Sequence, residues 1–156
     1  MSGTKPSIQY RTTAGLSSIM ANANKLEKDI EKTSYQILII DDNINLLYST
    51  QALVESIGYH CIIADGGEAG INVLNSMPID IVLLDLSMPE VDGYSVLKYI
   101  QEKEFNTDVI VVSGESTFDN ATNVFKSGAL DFLGKPYKSS QLISTIDNVA
   151  YKRGLK

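Results

Sequence analysis

The sequence predicts an α/β domain built on a doubly wound parallel sheet, with a helical extension in front of it. Three observations carry this. From Tyr35 onward a short apolar run alternates with a helix-spaced run five times. The apolar runs lack the in–out alternation of half-exposed strands, as expected of strands covered on both faces. The stretches between them are long enough for crossover helices, and right-handed crossovers put helices on both sides of the sheet.

The elements follow in chain order. Residues 1–13 are polar and are expected to lack stable structure. Leu16, Ile19, Ala23, Leu26 and Ile30 then recur at spacings of 3, 4, 3 and 4, a two-heptad seam on a helix. The domain proper is expected over residues 35–156, with 1–34 as the extension. Gln36–Ile40 is short and β-branched and reads as the first strand. Asn43 to Ile57 has helical spacing, with Leu46, Leu47, Leu53 and Val54 inward and Gly58 as its stop. Residues 59–64 form the second strand. Residues 66–76 form a helix, with Asp65 as N-cap and Ile71 and Leu74 inward. Ile79–Leu84 is the third strand. Gly93–Glu102 is a helix with Val96, Leu97 and Ile100 on one side. Asp108–Val112 is the fourth strand, Phe118–Lys126 a helix ended by Gly128, and Asp131–Leu133 the fifth strand. Ser139–Lys152 is the last helix, with Leu142, Ile143, Ile146 and Val149 as its stripe.

Composition narrows the function. Of the 156 residues 44 % are hydrophobic, enough for one real core. No run is long and apolar enough to span a bilayer, and the N-terminus lacks the order of a signal peptide. Cys61 is the only cysteine, so no internal disulfide forms, and a reducing, cytoplasmic setting is expected. It lies in the apolar run Cys61–Ala64 and reads as a structural thiol. Residues 35–156 carry eight basic and sixteen acidic side chains. Such a body is a poor partner for nucleic acid, which needs a basic surface.

Five polar residues stand where strands end. Asp41 and Asp42 follow the first strand, Asp85 the third, Ser113 the fourth and Lys135 the fifth. In parallel α/β sheets the working site lies at the carboxyl ends of the strands. Three carboxylates brought together there repel one another unless a cation is present. Oxygen ligands with open positions suit Mg²⁺ or Mn²⁺. Such a metal neutralises charge on an incoming phosphoryl group, while a free carboxylate attacks phosphorus. A lysine opposite binds phosphoryl oxygens, and a hydroxyl at Ser113 is able to hydrogen-bond a third oxygen. Each residue alone has a plainer reading: Asp41 and Asp42 as helix caps, Asp85 as a turn residue, Ser113 and Lys135 as incidental. Their coincidence at five strand ends argues for a site.

The full pattern is Asp41-Asp42, Asp85-Leu86-Ser87-Met88-Pro89 with Asp92-Gly93, Ser113-Gly114, and Phe132-Leu133-Gly134-Lys135-Pro136. It resembles the response-regulator receiver domain, the phosphoacceptor module of two-component signalling, across roughly residues 35–152. The resemblance implies a flavodoxin-like (CheY-like) sheet of order 2-1-3-4-5. It implies that Asp85 takes the phosphoryl group from a histidine kinase or phosphotransfer protein. Asp42, Asp85 and the Ser87 carbonyl would bind Mg²⁺, Asp41 acting mainly through a coordinated water. Lys135 would pair with the phosphoryl group, Gly114 would leave room for it, and Lys135–Pro136 would be cis. Ser113 and Phe132 would be the switch, remodelling the face of the fourth domain helix, fifth strand and last helix. Ser87 and Glu115 would tune dephosphorylation.

The resemblance also implies a switch whose only catalysis is on itself, and a downstream effector domain or protein as its target. Self-association is expected through the N-terminal helix or the switching face. No effector region follows Lys156, so output is expected from this domain's own surface or from a longer protein. His60, the only histidine, starts the second strand and is not expected to take part; Tyr137 reads as a packing residue. The competing enzyme reading is a Mg²⁺-dependent aspartyl-phosphate phosphohydrolase. Enzymes that resemble the haloacid-dehalogenase family carry a second carboxylate two residues after the nucleophile, where this chain has Ser87. A flavin-binding domain would need a Ser/Thr/Gly-rich loop after the first strand, where Asp41 and Asp42 would repel phosphate.

Overall fold

The computed structural model describes residues 13–114 and 118–154, and the chain divides into two units, residues 1–31 and 32–156. The polar segment expected to lack structure and Glu115 lie outside the described residues, except for Thr13. The order is α1 (Thr13–Ser34), β1 (Gln36–Ile40), α2 (Ile44–Ser56), β2 (His60–Ala64), α3 (Gly67–Ser76), β3 (Ile81–Asp85), α4 (Gly93–Glu102), β4 (Asp108–Ser113), α5 (Phe118–Lys126), β5 (Asp131–Gly134) and α6 (Ser139–Gly154). The five strands form one parallel sheet in the order β2-β1-β3-β4-β5.

The period-two alternation of a strand splits the core into two layers. Ile37, Ile39, Ile81 and Leu83 face one side, against Leu47 and Val54 of α2 and Leu142, Ile146 and Val149 of α6. Leu38, Ile40, Val82 and Leu84 face the other, against Leu74 of α3, Val96, Leu97 and Ile100 of α4 and Val124 of α5. Gly58 ends α2 with φ +102°, a conformation that side chains with a Cβ resist.

One expectation about caps changes, and the plainer reading of Asp41 and Asp42 as helix caps falls away. Asn43, not an aspartate, caps α2, its side chain accepting from Leu46 N. Gly66 is the N-cap of α3 and no side chain caps that helix. Extended backbone at Gly66 (φ 169°, ψ 173°) carries the helix start past Asp65, which stays exposed.

An ionic lock closes the sheet edge remote from the strand carboxyl ends. Arg153, in the last turn of α6, donates to Asp80 Oδ1 from Nε at 3.2 Å and to Asp108 Oδ2 from Nη1 at 3.1 Å. It also donates to the Asn106 carbonyl at 2.6 Å, while Asp80 Oδ2 accepts from Gln36 N at 2.8 Å. One guanidinium thus ties α6 to the entrances of three strands. Arg153→Ala leaves two mostly buried carboxylates without their cation. It is expected to cost about 2–4 kcal/mol, seen as a lower urea midpoint with unchanged slope.

Candidate functional site

Strand register builds the site. Ile40 lies opposite Leu84, so Asp41 and Asp85, each the next residue, emerge side by side on adjacent strands. Ser113 lies opposite Gly134, so Lys135 emerges one step beyond. Asp41 and Asp85 have the parity of the residues packed on α2 and α6, and Lys135 follows Leu133 in the same sense. Ser113 shares instead the parity of Val109 and Val111, which pack on the α3–α5 side, and Phe132 packs there too. The charged cluster and the Ser113–Phe132 pair therefore belong to opposite faces of one sheet edge.

Asp41 and Asp85 are nearly buried, at 5 % and 6 % exposure, while Asp42 is exposed. Oxygens of the three carboxylates lie within 4.8 Å of one another. Lys135 Nζ donates to Asp41 Oδ2 at 2.9 Å and stands 3.7 Å from Asp85 Oδ1. The other Asp41 oxygen accepts from Asn43 N at 2.9 Å. Asp85 Oδ1 accepts from Ser87 N at 3.3 Å. An all-oxygen donor set with one exposed member fits a hard divalent cation that keeps several waters.

Burial pushes the Asp85 carboxyl up from 3.8 to about 6; Lys135 and the Ser87 N–H pull it down, while Asp41 and Asp42 push it up. Burial disfavours the Lys135 ammonium, but the hydrogen bond to Asp41 and the carboxylate charges outweigh it and raise its pKa. Lys135 is therefore a firmly charged counter-ion, and the Asp85 carboxylate is held mainly against the cost of burial, to which Asp41 and Asp42 add.

Supporting contacts position these groups. The Ser113 carbonyl accepts from Lys135 N at 2.8 Å, and Lys135–Pro136 is cis. Gly93, at the start of α4, packs so tightly that a Cβ there would stand 2.2 Å from the Asp85 carbonyl oxygen. A Cβ at Gly114 would meet no atom of the described residues within 4 Å. Ser113 is wholly buried and Phe132 partly so; Ser87 is exposed. His60 is exposed at the start of β2, at the opposite end of its strand from the cluster. Burial drives the Cys61 thiol up to about 12, which leaves it inert near neutral pH.

Sequence reasoning missed one supporting pair. Thr50 on α2, itself buried, meets the Tyr137 hydroxyl at 3.3 Å behind Lys135. The available signal was a threonine inside an otherwise apolar helical face. Lys135, Pro136 and Tyr137 also line an open groove of about 500 Å³ against Leu46 and Leu53 of α2.

A family model described as the response regulator receiver domain matches residues 37–147. The cell cycle transcriptional regulator CtrA of Caulobacter vibrioides is 29 % identical over 73 % of this chain and 49 % of its own length. The transcriptional regulatory protein ZraR of Escherichia coli is 32 % identical over 71 % of this chain and 25 % of its own. The match thus spans half or less of these relatives. Among solved structures, a response regulator receiver domain protein from Clostridium thermocellum superposes with a TM-score of 0.71 at 30 % identity, covering 78 % of this chain and 98 % of that one. No helix among the described residues is long and apolar enough to cross a membrane.

Proposed function

The chain belongs to the response regulator receiver domain family of two-component signalling, and we propose that Asp85 is its phosphoryl acceptor. The observation that carries this reading is the gathering of Asp41, Asp42, Asp85 and Lys135 at one sheet edge. In the transfer, an Asp85 carboxylate oxygen forms a bond to phosphorus as the phosphorus–nitrogen bond of a kinase phosphohistidine breaks. The imidazole nitrogen leaves with the electron pair. Lys135, 3.7 Å from Asp85, moves from Asp41 onto the phosphoryl oxygens. Asp42, Asp85 and the Ser87 carbonyl would hold Mg²⁺, with Asp41 acting through a water, and the ion would neutralise charge on the phosphoryl oxygens.

The switch reading rests on the shared side of Ser113 and Phe132. A new oxyanion above Ser113 draws its hydroxyl toward the site. Phe132 then turns into the space released, and the α5–β5–α6 face is remodelled. Glu115 and Ser87 belong to the same reading as groups that tune loss of the phosphoryl group. The chain acts as a switch in the cytoplasm, served by a histidine kinase or phosphotransfer protein and read by an effector domain or protein. Self-association through α1 or through the α5–β5–α6 face is proposed separately from the acceptor chemistry. No observation favours the phosphohydrolase, since Ser87 occupies the position of its second carboxylate.

The test is intact-mass measurement after incubation with acetyl phosphate and Mg²⁺. One phosphoryl group is expected, lost on chelating the metal beforehand. No gain in mass under any phosphodonor would remove the proposal.

A further inference from the structure

The α1 helix presents an apolar seam to solvent. Leu16, Ile19, Leu26 and Ile30 are 48 %, 50 %, 61 % and 61 % exposed, and Met20 beside them 62 %. In proteins most of a helix's stability comes from packing an apolar face of this kind, and α1 carries one along its 22 residues. The occupant has to match both the heptad spacing and the charge of this helix.

We propose that α1 pairs in parallel and in register with α1 of a second copy of this chain. Parallel pairing sets each seam residue against its own copy, so all five layers, from Leu16 to Ile30, are apolar on both sides. Antiparallel pairing that keeps the seam whole sets Ile19 against Ile30 and Ala23 against Leu26. It then places Leu16 against the polar Thr33, and Met20 beside the Glu27 carboxylate. The parallel arrangement instead puts Asn22 beside Glu27 of the other copy, an amide beside a carboxylate, with no like charges facing across the seam.

Charge balance favours self-pairing at this place. Residues 13–24 carry no charged side chain, and residues 25–32 carry three lysines and three acidic residues. Two such helices meet without net repulsion, although residues 35–156 are strongly acidic. The interface is isologous and closes at two copies. Two heptads fall short of the three or four that sustain a permanent coil, so pairing is reversible and concentration-dependent. Only Tyr35 separates α1 from β1, so a parallel pair brings both sheet-bearing units to one end of the coil and raises their effective concentration. The pairing is independent of the chemistry at Asp85.

The experiment uses the full chain without phosphodonor, with Cys61→Ala as background. Ile19→Cys and Leu26→Cys are each expected to oxidise to a covalent dimer, and Ser18→Cys, on the outer face, at least tenfold more slowly. Sedimentation equilibrium of the wild type is expected to show mass rising from monomer toward dimer with concentration. Leu26→Asp should remain a monomer throughout, with the thermal transition of its sheet-bearing unit intact. A wild type monomeric at every concentration would overturn the proposal, as would equal cross-linking at Ser18. Dimerisation that survives Leu26→Asp would do the same, because it places pairing elsewhere. Preferred cross-linking of Ile19→Cys with Ile30→Cys copies would overturn the parallel form. None of these outcomes alters phosphoryl uptake, so the two readings fail separately.

Discussion

Asp85→Asn is expected to take up no phosphoryl group from acetyl phosphate and no beryllofluoride, yet to be more stable than the wild type in metal-free buffer at pH 7. The first effect is chemical, because an amide oxygen does not supply the attacking carboxylate. The second is electrostatic. The Asp85 carboxyl titrates near 6 in the folded protein against an ordinary 3.8. Between those values the folded chain holds a proton that the unfolded chain has released, so stability falls as pH rises. Above about pH 6 the full cost is present, roughly 1–3 kcal/mol. Asparagine removes it while keeping an oxygen to accept from Ser87 N. Urea midpoints with chelator should therefore separate at pH 7, the variant higher, and converge below pH 4. Magnesium should raise the wild type more than the variant. Undiminished phosphorylation of Asp85→Asn would end the acceptor assignment, and equal stability at pH 7 would end the electrostatic account.

Lys135→Ala is expected to separate metal binding from response. Without its ammonium, the Asp41 oxygen that held it at 2.9 Å faces two other carboxylates with no cation nearby. The metal-free variant should lose about 1–3 kcal/mol, since removing one partner of a mostly buried pair leaves the other uncompensated. Mg²⁺ should still bind, and its stabilising effect should exceed that in wild type because a competing positive charge is gone. Phosphorylation should then fail to shift the amide spectrum of the α5–β5–α6 face. Loss of Mg²⁺ binding, or a normal shift, would remove the role assigned to Lys135. The two variants move metal-free stability in opposite directions, which a general loss of packing cannot imitate.

Most of the fold was legible because buried parallel strands and their crossover helices write distinct periods. Gln36–Ile40, Gly93–Glu102 and Phe118–Lys126 have the expected bounds, and the other domain elements shift by a residue or two at one or both ends. The third strand begins at Ile81 rather than Ile79 and includes Asp85. The caps were less legible. Asn43, Asp42 and Asp41 are all competent N-caps by type, and only the backbone path selects Asn43. Asp65 is competent too, but extended backbone carries α3 beyond its reach.

The site divides in the same way. That five polar residues stand at strand ends is a property of the chain, readable from the length and apolarity of the runs before them. Their partners are a property of the packed sheet. Asp41 and Lys135 are ninety-four positions apart and meet at 2.9 Å because β1, β3, β4 and β5 lie in register. The same packing turns Asp85 toward the α2–α6 side and Phe132 toward the α3–α5 side. Residue type and spacing are local and survive in the unfolded chain. Burial, which raises the Asp85 carboxyl, and the separation of charges, which sets Lys135 against it, exist only once distant strands have closed on one another.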